Sequence, residues 1–525
     1  MQKLPIGIQN FEDIRTENYL YVDKTKQILQ MIENGKCYFL SRPRRFGKSL
    51  TISTLEAMFK GKAELFKGLY AEEWVKEKAK SPSSVIKIDM GFSKSYDSSE
   101  QLNYYIISQF KNYLTINDLT MNLDNNADIA LSNLIIKLYK EFGQVVILID
   151  EYDKPITDNI NNIEKANEIR EYLRSFYFVL KSCSQYLSFV MVTGVSKFSK
   201  AGVFSGLNNL NDISMDEGYA DIVGYTQREL EENFDEWLDN TEKKLSMNRE
   251  ELLDKIKQYY DGFSFDGETR VYNPFSVLNF FDKNRFRNYW YLSGSPSFLN
   301  DYLKKHRITN PDKFRYMEVE SDFADEHEIE KSSCESFLYQ AGYLTIKKIE
   351  IKNDREILTL DYPNLEVLSS ISRLYLRDIY QIEDYASFGS FLWESIRTLK
   401  EGDVEKIVSI FNNSLEKIPY NDFPKNKNEY WYRSLFVMLL RGGAGVTSFQ
   451  ESYSKDGRSG LVIPFNDKII IIEFKFANTS KEVDKKRAEG QEQVKRYAES
   501  YKNEGKKIII AVVLVADNEK RQVVL

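Results

Sequence analysis

The chain has 525 residues, of which 42% are hydrophobic and 29% charged, and its net charge is −7. That length exceeds one hydrophobic core, so roughly two to four domains are expected, with the balance of an ordinary soluble chain. No apolar run is long enough to cross a bilayer, and MQKLPIGIQNF has no signal-peptide core, so a cytoplasmic chain with no membrane role is expected.

The first element that carries chemistry is Arg42–Ser49, RPRRFGKS. It follows an apolar run, Cys37–Leu40, that reads as a strand, and precedes Leu50–Phe59, which reads as a helix. Strand, tight loop and Gly-Lys-Ser opening a helix form a phosphate-binding arrangement. The loop and helix start, Arg44, Arg45, Phe46, Gly47, Lys48, Ser49 and Leu50, would present backbone amides to the phosphates. Lys48 would reach the β- and γ-phosphates, and the Ser49 hydroxyl would bind Mg²⁺. Arg42 stands where the motif usually has its first glycine.

Val85–Asp89 reads as the next strand, followed by a long polar helical stretch. Gln144–Ile149 is continuously apolar, as in a strand buried on both faces of a parallel sheet, and ends in Asp150-Glu151. Carboxylates at that strand end lie where open α/β sheets bind ligands. Asp150 would hold Mg²⁺, and Glu151 would orient and deprotonate the attacking water. A helix over Ile169–Cys183 leads to a further buried strand, Leu187–Val192, ending at Thr193-Gly194. Thr193 is the candidate γ-phosphate sensor. Alternating strands and helices predict a parallel sheet covered on both sides.

Residues 236–400 are richer in helical periodicity and aromatics, as in YYDGFSF, VYNPFSVLNFF and NYWYLSGSPSFL. A helical lid over the nucleotide edge is the expectation there. Residues 401–525 return to α/β. They read as a helix, Glu429–Leu440, three strands, Val446–Glu451, Gly460–Phe465 and Lys468–Phe474, a charged helix near Lys481–Lys502, and a strand, Ile508–Val515. Alternation puts Glu473 and Lys475 on one strand face and Phe474 on the other. Glu-x-Lys on a strand is a nuclease device: the carboxylate holds a divalent metal and the lysine positions water.

Charge is uneven. Lys425–Leu525 carries 19 Lys and Arg against 13 Asp and Glu, leaving the remainder with 53 against 66. A basic end suggests a DNA or RNA partner, and a solvated helix face accounts for it equally well. Cys37, Cys183 and Cys334 are far apart and odd in number, and His306 and His327 are the only histidines. Both facts suit a reducing compartment without a zinc cluster.

The segments PIGIQNFEDIRTENYLYVDKT, RPRRFGKS, ILIDEYDKPI and TGVSKFSKAGVFSGLNNLNDIS resemble bacterial AAA-ATPase-like proteins. In that family the chain typically ends in a PD-(D/E)XK nuclease-superfamily domain, which GRSGLVIPFNDKIIIIEFK and QEQVKRYA resemble. The resemblance implies an ATPase-like domain at 1–235, a helical middle at 236–400 and a nuclease-like domain at 401–525. It implies ATP with Mg²⁺, served by Lys48, Ser49, Asp150 and Glu151, and an adenine pocket lined by Tyr21–Thr25. Arg44, Arg45 and Arg174 are candidates for phosphate contacts, and self-association is left open. The family's nuclease end usually reads Gly-Arg-x-Asp, the Asp being the main metal ligand; here Gly460 takes its place. Glu473 and Lys475 then form an incomplete catalytic set. The expected function is an ATPase whose nucleotide state controls a nucleic-acid-binding module with impaired cleavage. An ATP-gated nuclease with a migrated acid, drawn from Glu429, Glu451 or Asp456, is one alternative; a protein-interaction switch without nucleic acid is the other. Gly460→Asp is expected to cost little stability.

Overall fold

The structure is a computed structural model. It describes residues 1–92, 96–197, 203–204, 209–292, 303, 311–324, 333–376, 394, 397–415, 429–444, 450–454, 457–465, 467–477, 479–502, 505–516 and 523–524. The chain divides into two compact units, Met1–Gly294 with Phe314–Asn364, and Ser295–Lys313 with Leu365–Leu525.

The first unit is built on a five-stranded parallel sheet. Its strands are β1 (Cys37–Ser41), β2 (Ser84–Asp89), β3 (Val145–Asp150), β4 (Leu187–Gly194) and β5 (Asn211–Asp212), in spatial order β2-β3-β4-β1-β5. Every residue of β3 is buried, which explains its unbroken Val-Val-Ile-Leu-Ile run. One sheet face packs Phe39, Ile86, Ile88, Ile147, Ile149, Val190 and Val192 against helices Ser99–Ile116, Ala127–Phe142 and Ile163–Ser182. The opposite face carries Tyr38 and Phe189, and Phe189 meets Phe59 of the helix Lys48–Phe59 at 5.2 Å between ring centroids.

Beyond the sheet, helices Gln227–Asn233, Asp235–Leu245, Arg249–Tyr260 and Pro274–Lys283 share a core of Leu230, Phe234, Trp237, Tyr260, Phe280 and Phe281. The same unit contains an antiparallel sheet that a purely helical reading of residues 236–400 does not anticipate. It orders β6 (Met317–Glu320), β8 (Arg355–Asp361) and β7 (Thr345–Lys352). The β7–β8 hairpin turns on Asn353-Asp354, both at positive φ of 51° and 60°, the backbone of a two-residue type I′ turn. The end of the last aromatic segment, residues 293–299, lies outside the described residues.

The second unit holds the helix Glu429–Ala444 and a mixed sheet. Its strands are β9 (Gln450–Ser454), β10 (Gly457–Pro464), β11 (Lys468–Ala477), β12 (Lys507–Ala516) and β13 (Val523–Val524), ordered β13-β12-β11-β10-β9. Only the β11–β12 pair is parallel, and the helix Val483–Glu499 makes the crossover between them, as parallel pairing requires. Val494 and Tyr497 of that helix pack on Ile469, Ile471 and Val512. Phe474 turns the other way, onto Phe436. Of the expected strand Val446–Glu451, Gln450 and Glu451 open β9, and residues 445–449 lie outside the described residues.

Candidate functional site

Gly-Lys-Ser lies where β1 hands over to a helix. Gly47 caps the helix at φ +102°, and Arg45 is also left-handed at +69°. These values fold the loop back over the start of the helix, whose first turn has amides without intrahelical partners. Lys48 is only 7% exposed, and its Nζ donates to Arg42 O at 2.8 Å and Pro43 O at 3.0 Å. Burial lowers its pKa, opposed by the charges of Asp150, Asp153 and Glu151. Ser49 is half-buried at the second helical position, and Arg44 and Arg45 are exposed. Arg174 lies away from the loop in sequence, exposed on the helix Ile163–Ser182 and 3.5 Å from Glu171.

Parallel register brings the acids to the same sheet edge. Asp89 of β2 lies opposite Asp150 of β3. Asp150 is 4% exposed; its Oδ1 accepts the Thr193 hydroxyl at 2.6 Å and the Glu151 amide at 3.0 Å. Thr193 is therefore a buried partner of Asp150. Glu151 sits at φ +53°, which turns its side chain away from the strand. A Cβ at residue 91 would fall 2.5 Å from Glu151 Oε2 and 3.0 Å from Asp89 Oδ1, so Gly91 makes room for both carboxylates. Burial, reinforced by the charge of Asp150, raises the pKa of Glu151; burial also raises that of Asp89.

A narrow apolar cleft of about 60 Å³ opens beside the loop. Tyr21, Val22 and Lys24 line it with Phe46, Gly47, Leu50 and Thr51, and Ile222–Tyr225 line the far side. Lys24 is fixed by a buried ion pair with Glu229, at 2.6 and 2.7 Å to its two oxygens, and donates to Asp221 O at 2.8 Å.

Sequence reasoning missed Ile222–Tyr225 and Asp153. Asp153 is buried and accepts the Ser196 amide at 2.7 Å, the Ser196 hydroxyl at 2.5 Å and the Val195 amide at 3.2 Å. It holds the segment that leaves β4 beside the loop. The signal was present in DEYD, where a second acid follows the first pair in the same tight turn.

In the second unit Glu473 and Lys475 share a face of β11. Lys475 Nζ donates to Glu473 Oε1 at 2.9 Å and lies 3.8 Å from Glu429 Oε2. Glu473 is 3% exposed, and its Oε2 has no hydrogen-bond partner. Burial raises the pKa of both Glu473 and Glu429. Gly460 faces this pair. A Cβ there would fall 2.6 Å from Glu473 Oε2 and 2.3 Å from the Ile472 carbonyl oxygen. The expectation that Gly460→Asp costs little is therefore wrong: the cost is a collision with the neighbouring strand's backbone, not a φ preference. Glu451 pairs in β9 with Leu461, and Asp456 lies outside the described residues.

A model of the predicted AAA-ATPase family matches residues 5–204, and one of the PD-(D/E)XK nuclease superfamily matches 427–524. An uncharacterized protein in the vnfD 5′ region of Azotobacter chroococcum mcd 1 is 35% identical over 517 residues, covering 97% of this chain and 95% of that one. The chain belongs to the predicted AAA-ATPase family with a C-terminal PD-(D/E)XK nuclease-superfamily domain. The structure of the Aeropyrum pernix ORC2 protein in ADPNP–ADP complexes covers 69% of this chain and 95% of its own, at 10% identity and a TM-score of 0.26, too slight a likeness to bear on function. In this AAA-ATPase-like protein the loop, the β3 acids and the cleft all lie in the first compact unit, and the Glu473–Lys475 pair lies in the second. Among the described residues no helix is long and apolar enough to cross a membrane.

Proposed function

We propose that the protein is a cytoplasmic ATPase whose nucleotide state controls its nuclease-like domain, which binds nucleic acid and cleaves it slowly or not at all. The observation that carries this reading is the gathering of Lys48, Asp150 and Glu151 at one sheet edge, beside an apolar cleft. The phosphates of ATP lie against the amides of Arg44–Leu50, and the base enters the cleft between Tyr21–Lys24 and Ile222–Tyr225. Lys48 exchanges two neutral carbonyls for a phosphate, a stronger charge-assisted partner. Ser49 and Asp150 offer the hard oxygens that suit Mg²⁺, and they would hold it while it neutralises phosphate charge. Thr193 acts through Asp150, whose carboxylate it orients. Glu151 takes the proton of the attacking water. The direct test is ATP turnover with and without DNA and RNA. A change of rate with either supports control through nucleic acid; a rate indifferent to both favours a protein partner.

The nuclease-like site does not fit a divalent cation. Glu473 is already bonded to an ammonium, Gly460 supplies no oxygen, and among the described residues no group of three or more metal-type ligands gathers. With Mg²⁺ or Mn²⁺ the wild-type chain is expected to leave DNA and RNA uncut; robust cutting lost in Glu473→Ala would overturn this. Gly460→Asp should lower stability by about 1–3 kcal/mol, the scale of overpacking, read as a lower melting temperature. Glu429 supports the competing active-nuclease reading, because it is the acid 3.8 Å from Lys475 Nζ. Under that reading Glu429→Gln would abolish cutting.

Nucleic-acid binding by the full chain should weaken steeply with salt, because phosphate contacts release counterions. Filter binding across a salt series checks this, and salt-independent binding would count against the basic C-terminal end as the contact.

A further inference from the structure

We propose that Arg42 is the positioning residue that ties the phosphate loop to both walls of the base cleft, so that phosphates and base are bound as one ligand. This rests on the nucleotide reading above. The Arg42 side chain is 1% exposed. A buried guanidinium is costly unless its donors are met. Here Nη1 donates to Ser41 O at 3.0 Å and Ser214 O at 2.5 Å, and Nη2 to Tyr219 O at 3.3 Å, while the buried Nε has no hydrogen-bond partner. The guanidinium also lies over the Phe265 ring, 3.9 Å from its centroid. Burial lowers its pKa only to about 10, so the group keeps its charge at neutral pH.

Two of these contacts lead into the cleft. Tyr219 O also accepts the amide of Ile222 at 3.3 Å, the first residue of the far wall. Phe265 packs against Phe46 at 5.8 Å, and Phe46 lines the near wall. The Arg42 carbonyl meanwhile receives Lys48 Nζ. One residue thus holds the phosphate cation through its backbone and both cleft walls through its side chain. A glycine in this place would keep the carbonyl that receives Lys48 but would hold neither wall. A lysine would keep the charge but not the planar fork that reaches three carbonyls and stacks on a ring.

The experiment is calorimetric titration of the full chain with ATP and with inorganic tripolyphosphate, which carries the phosphates without the base. Wild type should prefer ATP. Arg42→Met and Arg42→Lys should each narrow that preference by about tenfold or more while changing tripolyphosphate affinity by less than about threefold, the scale of losing charged hydrogen bonds on one side only. Phe265→Leu, which removes the ring and spares the carbonyl bonds, should narrow it in the same direction by less. That variant decides the matter if the Arg42 variants fail to fold. A preference that survives in the variants, or an equal loss of both ligands, overturns the proposal. A wild-type chain that binds neither ligand overturns the nucleotide reading itself, and this proposal with it.

Discussion

Glu151→Gln is expected to leave ATP binding intact and to slow hydrolysis by roughly a hundredfold or more, the usual scale for losing a general base. The substitution keeps shape and polarity and removes only the capacity to take a proton. The surroundings of Glu151 suit that task. Gly91 leaves space for its carboxylate, Asp89 and Asp150 stand beside it, and burial holds its pKa above the ordinary carboxylate range. A base must be ionised to act, so the rate should rise with pH through this raised pKa. Its acid limb should lie higher than a solvated glutamate would give, and Glu151→Gln should abolish that limb. Single-turnover hydrolysis across pH checks both points. Equal rates for variant and wild type would place water activation elsewhere.

Lys48→Ala should weaken ATP binding by roughly tenfold to a hundredfold, the loss of a charge-assisted contact to phosphate. The residue is buried at the helix start, with its ammonium on two loop carbonyls and three acids in its field. Removing it leaves Arg42 O and Pro43 O without that donor, so part of the effect comes from loop disorder. Titration with ATP, set beside a melting curve of the unliganded chain, separates the two contributions. Unchanged affinity would remove the phosphate-loop reading altogether.

The parts of the site legible in the sequence are those whose chemistry is contiguous. Lys48 and Ser49 follow a strand by a few residues, and Asp150-Glu151 closes a run of five apolar residues that only a doubly covered strand would carry. Ile222–Tyr225 escaped notice because an apolar cleft wall is made by placement, and no local pattern marks it. Thr193 was legible as a strand-ending polar residue, yet its bond to Asp150 depends on β3 and β4 being neighbours, a fact of topology. The β6–β8–β7 sheet was hidden because lysines and a glutamate interrupt Thr345–Lys352, leaving the Asn353-Asp354 turn as its clearest local mark.

Under the proposed reading of a nuclease-like domain that does not cut, Gly460 makes the missing activity hard to regain. The genetic code sets aspartate one base change from glycine, so reversion would be easy if the sequence were the whole barrier. In the fold, the place where a side chain would start is already filled by the Ile472 carbonyl and by Glu473. The first step back would be resisted by the packing itself, before any recovered chemistry could favour it. A lineage that returned to cutting would first have to loosen β10 from β11, or recruit its acid from another element, such as the helix that bears Glu429.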